Sequence, residues 1–122
     1  MRSASKPELV GRGEDPSTAP MRAAMELLGQ RWMLRVIWEL EPGALGFLEL
    51  RRRMGNCSSS MLSERLQQLS AAELLTKNDR GTWELTVQGA QLGVALASVW
   101  DWAELWAKRE IRVPQPGASR IP

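Results

Sequence analysis

Apolar residues recur at helical spacing through most of the chain between two stretches that have no such rhythm. Met21, Ala24, Met25 and Leu28 fall at i, i+3, i+4 and i+7. They predict a helix that buries this face, with Thr18 as its cap, Pro20 in the first turn and Gly29 as its stop. A second helix follows at once, because QRWMLRVIWELEPG places Trp32, Met33, Val36, Ile37 and Leu40 on a broad apolar face and ends at Pro42-Gly43. Phe47, Leu50 and Met54 mark a short third helix, FLELRRRM, with Arg52 and Arg53 on its opposite side. In GNCSSSMLSERLQQL, Ser58 is the expected N-cap of a fourth helix that turns Met61, Leu62, Leu66 and Leu69 inward. Ser59, Ser60, Ser63, Glu64, Arg65, Gln67 and Gln68 then face out.

The period changes after this helix. LLTKNDRGTWELT alternates apolar and polar residues on either side of Asn78-Asp79-Arg80-Gly81, which predicts a tight β-hairpin. From Val87 a long helix is expected to run to about Glu110. Leu92, Ala95, Leu96, Val99, Ala103 and Trp106 share one of its faces, and Trp100, Trp102 and Leu105 widen it. One face cannot pack on the domain and also bury those three, so the surplus predicts a partner for this helix. Residues 1–18, rich in Pro, Gly, Ser and charge, read as a disordered arm, 19–110 as one folded domain, and 111–122 as a flexible tail.

The expected fold is mainly α with a small β-hairpin. Two short helices joined by a tight turn and followed by a hairpin make the order of a winged helix-turn-helix, here extended by a long C-terminal dimerisation helix. That order explains the serines. In such a motif the N-terminal end of the second helix enters the DNA major groove, so its first turn needs small hydrogen-bonding side chains while its other face packs on the domain.

Composition removes several alternatives. The chain of 122 residues is 43% apolar, enough for one domain with a real core, and no run approaches the roughly 18 apolar residues that span a bilayer. A cytoplasmic protein without membrane contact is expected. With no histidine, no tyrosine and a single cysteine, Cys57, the sequence offers no Ser-His-Asp triad, internal disulfide or structural zinc site. Its carboxylates are scattered singly along helices, so no enzyme, cofactor or metal is expected.

Net charge is only +2, yet its distribution is uneven. Arg31, Arg35, Arg51, Arg52, Arg53, Arg65, Lys77 and Arg80 outnumber the acids between Arg31 and Arg80, whereas Glu84, Asp101, Glu104 and Glu110 outnumber Lys108 and Arg109 in the last helix and its approach. The Arg51-Arg52-Arg53 triplet reads either as a solvated helix face or as phosphate contacts from the helix that crosses the DNA backbone. Cys57, just before a helix N-terminus and near arginines, reads either as a small buried apolar group or as a reactive thiolate. Trp32 and Trp83 sit at patterned core positions, and Trp100, Trp102 and Trp106 fit an interface between subunits.

The segments LLGQRWMLRVIWEL, FLELRRRM, SSSMLSERLQQL and WELTVQGAQL, in this order and spacing, resemble the HxlR-type transcriptional regulators of bacteria over Met21 to about Trp106. The resemblance implies a homodimeric regulator that binds double-stranded DNA through a recognition helix at Ser58 to Leu69, with a wing at the hairpin. On that basis Ser58, Ser59, Ser60, Ser63 and Arg65 are expected at or near base edges, and Arg52, Arg53, Lys77 and Arg80 on phosphates. The first and last helices would supply the dimer interface, through Met21, Met25, Leu92, Val99, Trp100, Trp102 and Trp106. Many members carry Cys-Pro before the first helix, with the cysteine a sensor in some; here the position is Ala19-Pro20 and that route is absent. The wing also has fewer residues between Lys77 and Arg80 than is usual. The competing class is a winged-helix protein–protein adaptor without direct DNA binding, which the balanced charge and short wing permit. A small-molecule effector is compatible with either class, and no residue pattern specifies one.

Overall fold

The computed structural model describes residues 15–109. A single 3₁₀ turn, Pro16–Thr18, leads into helices α1 (Ala19–Leu28), α2 (Met33–Leu40), α3 (Phe47–Arg53) and α4 (Ser59–Ala71). Strands β1 (Leu75–Lys77) and β2 (Trp83–Leu85) form the hairpin, and α5 (Val87–Lys108) closes the domain. Of the expected disordered arm, residues 1–14 lie outside the described residues. Of its last four residues, Asp15 caps the 3₁₀ turn by accepting from the Ser17 amide at 3.0 Å and the Ser17 hydroxyl at 2.9 Å. The expected tail, 111–122, also lies outside the described residues.

Helix α2 is the centre of the core. Met33, Val36, Ile37 and Leu40 are each at most 2% exposed, and α2 touches α1, α3, α4, β2 and α5. Each such side chain removed from water contributes about 1.5–3 kcal/mol. Leu50 and Met54 from α3 and its end, Leu62, Leu66 and Leu69 from α4, Leu75 and Trp83 from the hairpin and Leu96 from α5 complete the cluster. The N-cap of α2 is Trp32, held in left-handed backbone at φ 74°, a conformation rare for an aromatic residue.

The link from α3 to α4 is a Schellman turn. The Asn56 amide donates to the Arg51 carbonyl at 2.9 Å and the Gly55 amide to the Arg52 carbonyl at 3.1 Å, with Gly55 left-handed at φ 73°. The chain therefore reverses sharply between the two helices. In the hairpin Leu75, Thr76 and Lys77 pair antiparallel with Leu85, Glu84 and Trp83. Its loop is a type I-like turn ending at a left-handed Gly81, φ 80°, and the Asn78 side chain stiffens it by accepting from the Arg80 and Thr82 amides at 3.0 Å each. A further bridge pairs Leu45 with Trp83, so β2 is flanked on its second edge by the residues that precede α3.

Two expectations about packing are corrected. On α1, Met21, Ala24 and Met25 are exposed in the single chain, Met21 by 50% and Met25 by 68%, because among the described residues α1 packs mainly along α2 and the 3₁₀ turn. On α5 the inward stripe runs through Gly89, Gly93, Leu96, Trp100 and Ala103, while Ala95 and Val99 face out. Two glycines set this phase. A β-carbon on Gly89 would lie 2.1 Å from the Leu74 carbonyl oxygen, and one on Gly93 would lie 2.2 Å from Glu41 Oε2. The helix can approach the core this closely only where it has no side chain, which rotates Trp100 inward and Val99 outward.

Candidate nucleic-acid interface

The α4 N-terminus is built as its serines suggest. The Ser58 hydroxyl accepts from the Met61 amide at 3.2 Å and caps the helix, and it also meets the Ser60 hydroxyl at 3.1 Å. Ser58, Ser59, Ser60 and Ser63 are all exposed, whereas Leu62, Leu66 and Leu69 on the other side are at most 1% exposed and Met61 is half-buried. The capping Ser58 and three further small hydroxyls in the first two turns thus front a thirteen-residue helix whose far face is anchored in the core.

Arg65 departs from the expectation that it faces out. Its side chain is only 14% exposed. Its Nε donates to the Arg31 carbonyl at 2.9 Å and its Nη1 to Gln68 Oε1 at 3.2 Å. The position on α4 points toward the junction of α1 and α2, and the orphan carbonyl there captures the guanidinium. Two other central arginines are also used as braces: Arg35 Nη2 donates to the Arg53 carbonyl at 2.8 Å while its Nε pairs with the buried Glu39 at 2.7 Å, and Arg51 Nε donates to the Cys57 carbonyl at 2.5 Å. Together the three bonds to main-chain carbonyls tie α2, α3 and α4 and their flanking turns into one unit.

Arg52 and Arg53 do lie exposed on α3, and both meet Glu49. Arg52 grips its two carboxylate oxygens, at 3.1 Å through Nε and 2.5 Å through Nη2, while Arg53 Nε donates to Oε2 at 2.9 Å. These hydrogen bonds pull the Glu49 carboxyl down to about 2. Sequence reasoning did not pick out Glu49, although its spacing of three and four residues from the arginines was the available signal. On the hairpin, Lys77 is exposed with its ammonium 5.6 Å from the Trp83 ring centre, and Arg80 is exposed at the tip of the loop. The candidate residues therefore form three groups: the hydroxyls of α4, the Glu49-bound pair on α3, and the two cations of the wing.

Cys57 is buried at 9% exposure in the core cluster, the packing role of the two readings. Among the described residues no group of His, Cys, Asp and Glu could hold a metal ion, and no helix is long and apolar enough to cross a membrane.

On the far part of the molecule, α5 carries exposed Val99, Trp102 and Leu105, at 43%, 56% and 62%. Trp102 and Trp106 stack, with ring centres 5.1 Å apart and planes 13° from parallel. Leu92 is half-buried against the core. Trp100, expected in the interface, packs against the chain's own core, where its Nε1 is buried without a hydrogen-bond partner.

The sequence matches the model of the HxlR-like helix-turn-helix family over residues 27–111. The HTH-type transcriptional regulator YvaP of Bacillus subtilis (strain 168) is 31% identical over 90 residues, which are 68% of this chain and 82% of that protein. The quinone-bound crystal structure of YodB from B. subtilis superposes with a TM-score of 0.62 at 31% identity, covering 74% of this chain and 97% of YodB. A possible HxlR family transcriptional factor from Thermoplasma volcanium GSS1 shares the fold, with a TM-score of 0.64 at 22% identity over 73% of this chain and 85% of that one. With its helix-turn-helix, its hairpin and these relatives, the chain belongs to the HxlR-like helix-turn-helix family, whose members are transcriptional regulators rather than enzymes.

Proposed function

We propose that the protein is a sequence-specific regulator that binds double-stranded DNA as a homodimer on an inverted-repeat operator. The observation that carries the reading is the two-sided α4: exposed Ser59, Ser60 and Ser63 at its N-terminal end, backed by fully buried leucines. Small hydroxyls there allow the helix end to come close to base edges in the major groove. Ser58 acts first as the cap. Arg65, already bonded to the Arg31 carbonyl, orients α4 rather than reading bases. Arg52 and Arg53 on α3, with Lys77 and Arg80 on the wing, meet phosphates on either side.

The dimer rests on α5 and α1. Ala95, Val99, Trp102 and Trp106 follow one another at steps of four, three and four residues, the spacing of a seam between paired helices. Met21 and Met25 add exposed apolar surface on α1. A two-fold pair burying the same patch on both copies would set two recognition helices about one turn of B-DNA apart, roughly 34 Å.

Selection of bound duplexes from a random pool by the purified protein tests the reading. The expected product is an inverted repeat with half-sites about one helical turn apart, bound with an affinity that falls steeply as salt rises. A product with one unrepeated half-site would remove the homodimeric operator, and no retained duplex at low salt would favour the adaptor class.

A further inference from the structure

The cationic face of α3 is not free. Glu49 makes three charge-assisted hydrogen bonds to Arg52 and Arg53, and Arg52 offers it the Nε–Nη2 edge, the same planar fork with which arginine takes a phosphate. All three groups are open to solvent, with side-chain exposures of 66% for Arg52, 43% for Arg53 and 38% for Glu49. The carboxylate is ionised at neutral pH, as any solvent-exposed glutamate is, so the three groups together present one positive charge where the arginines alone would present two. Neighbouring arginines cannot replace them: Arg35, Arg51 and Arg65 donate to main-chain carbonyls.

We propose that Glu49 is an internal competitor of DNA phosphate for Arg52 and Arg53, and that it weakens the sequence-independent part of the protein's grip on duplex DNA. The inference rests on the reading of these two arginines as phosphate contacts. Each encounter with a duplex becomes an exchange in which a phosphate oxygen takes the donors that the carboxylate gives up. The exchange is indifferent to base sequence, since α3 touches only the backbone. Glu49 therefore sets the strength and salt response of the hold on any duplex, and the hydroxyls of α4 act on top of that level.

Fluorescence anisotropy of the full-length protein with a labelled duplex of random sequence, over a salt series, tests the proposal. E49Q keeps the shape of the side chain and removes its charge. It should bind about 3- to 10-fold more tightly at low salt, the sum of two exposed ion pairs, with a log–log salt slope steeper by about 0.9 for each phosphate newly engaged. In an R52Q/R53Q background, the same E49Q change should shift affinity by less than about 2-fold, since only through-space repulsion remains. R52M/R53M, which keeps side-chain length without charge or fork, replaces that background if the glutamine pair proves unfolded by circular dichroism. An E49Q protein that binds no more tightly than wild type would show that the carboxylate merely positions the arginines, and would overturn the proposal. A gain undiminished in the background variant would overturn it as well, by showing that no competition for the forks is involved. If wild type and E49Q both ignore duplex DNA at low salt, the DNA-binding reading fails and takes this inference with it.

Discussion

At the scale of single residues, the acidity of Glu49 follows from its two guanidinium partners. Its folded-state value of about 2 lies below the ordinary 4.5, so the stabilisation from this pairing is present in full above pH 4.5 and is lost as the pH falls through about 2. A carbon-13 titration of the Glu49 carboxyl should accordingly stay flat from neutral pH to about 3.5 in wild type and regain a midpoint near 4.5 in R52Q/R53Q. A normal midpoint in wild type would mean that the arginines are not held to it in solution. Cys57 gives a second expectation. It is 9% exposed among core side chains, so micromolar peroxide should leave duplex binding unchanged in wild type and in Cys57→Ser alike. Release of the wild type alone would show that the core opens to oxidant.

At the scale of elements, the approach of α5 to the hairpin is governed by Gly89. Thr86 caps the helix by accepting from the Gly89 amide at 3.1 Å, and its hydroxyl donates to the Glu73 carbonyl at 2.7 Å, so the helix start is fixed just where the Leu74 carbonyl leaves no room for a side chain. Gly89→Ala should cost about 1–3 kcal/mol in urea unfolding, because rigid backbone must move. Gly93→Ala meets only the movable end of Glu41, and the better helix propensity of alanine, about 1 kcal/mol, offsets much of that contact. Equal losses at the two sites would mean that Glu41 is as immovable as the backbone. The same glycines mark what was legible in the sequence. The helical periods located all five helices, the Asn78–Gly81 segment located the hairpin, and the Ser58 cap and the α4 leucines fell where patterning put them. The phase of α5 was not legible, since Val99 and Trp100 are both apolar and the close approaches of Gly89 and Gly93 to distant segments decide between them. Nor was the fate of Arg65 legible, because its partner is a main-chain carbonyl 34 residues earlier, which no side-chain pattern records. The Leu45–Trp83 bridge was not legible for the same reason, since it is made by main-chain bonds.

For the whole molecule, the surface left uncovered by the chain's own packing is concentrated on α5 and α1. Val99, Trp102 and Leu105 stay exposed beside the stacked Trp106, and aromatic groups at such a surface are the ones that anchor subunits. Replacing Val99 and Trp102 together by Ala should shift the protein to monomer in sedimentation equilibrium at tens of micromolar, with little loss of helix signal, and should weaken operator binding to that of a half-site. Trp100→Ala should act differently, lowering stability rather than changing association, because that ring packs on the chain's own core. A double variant that remains dimeric would place the interface elsewhere. The indole stack has a further consequence for how the molecule can be watched. With six tryptophans, no tyrosine and one weakly emitting phenylalanine, ultraviolet emission comes almost entirely from indoles, and rings 5.1 Å apart exchange excitation before they emit. The colour of that light should shift blue when a second copy covers Trp102, so association of two copies can be followed by dilution without attaching a dye.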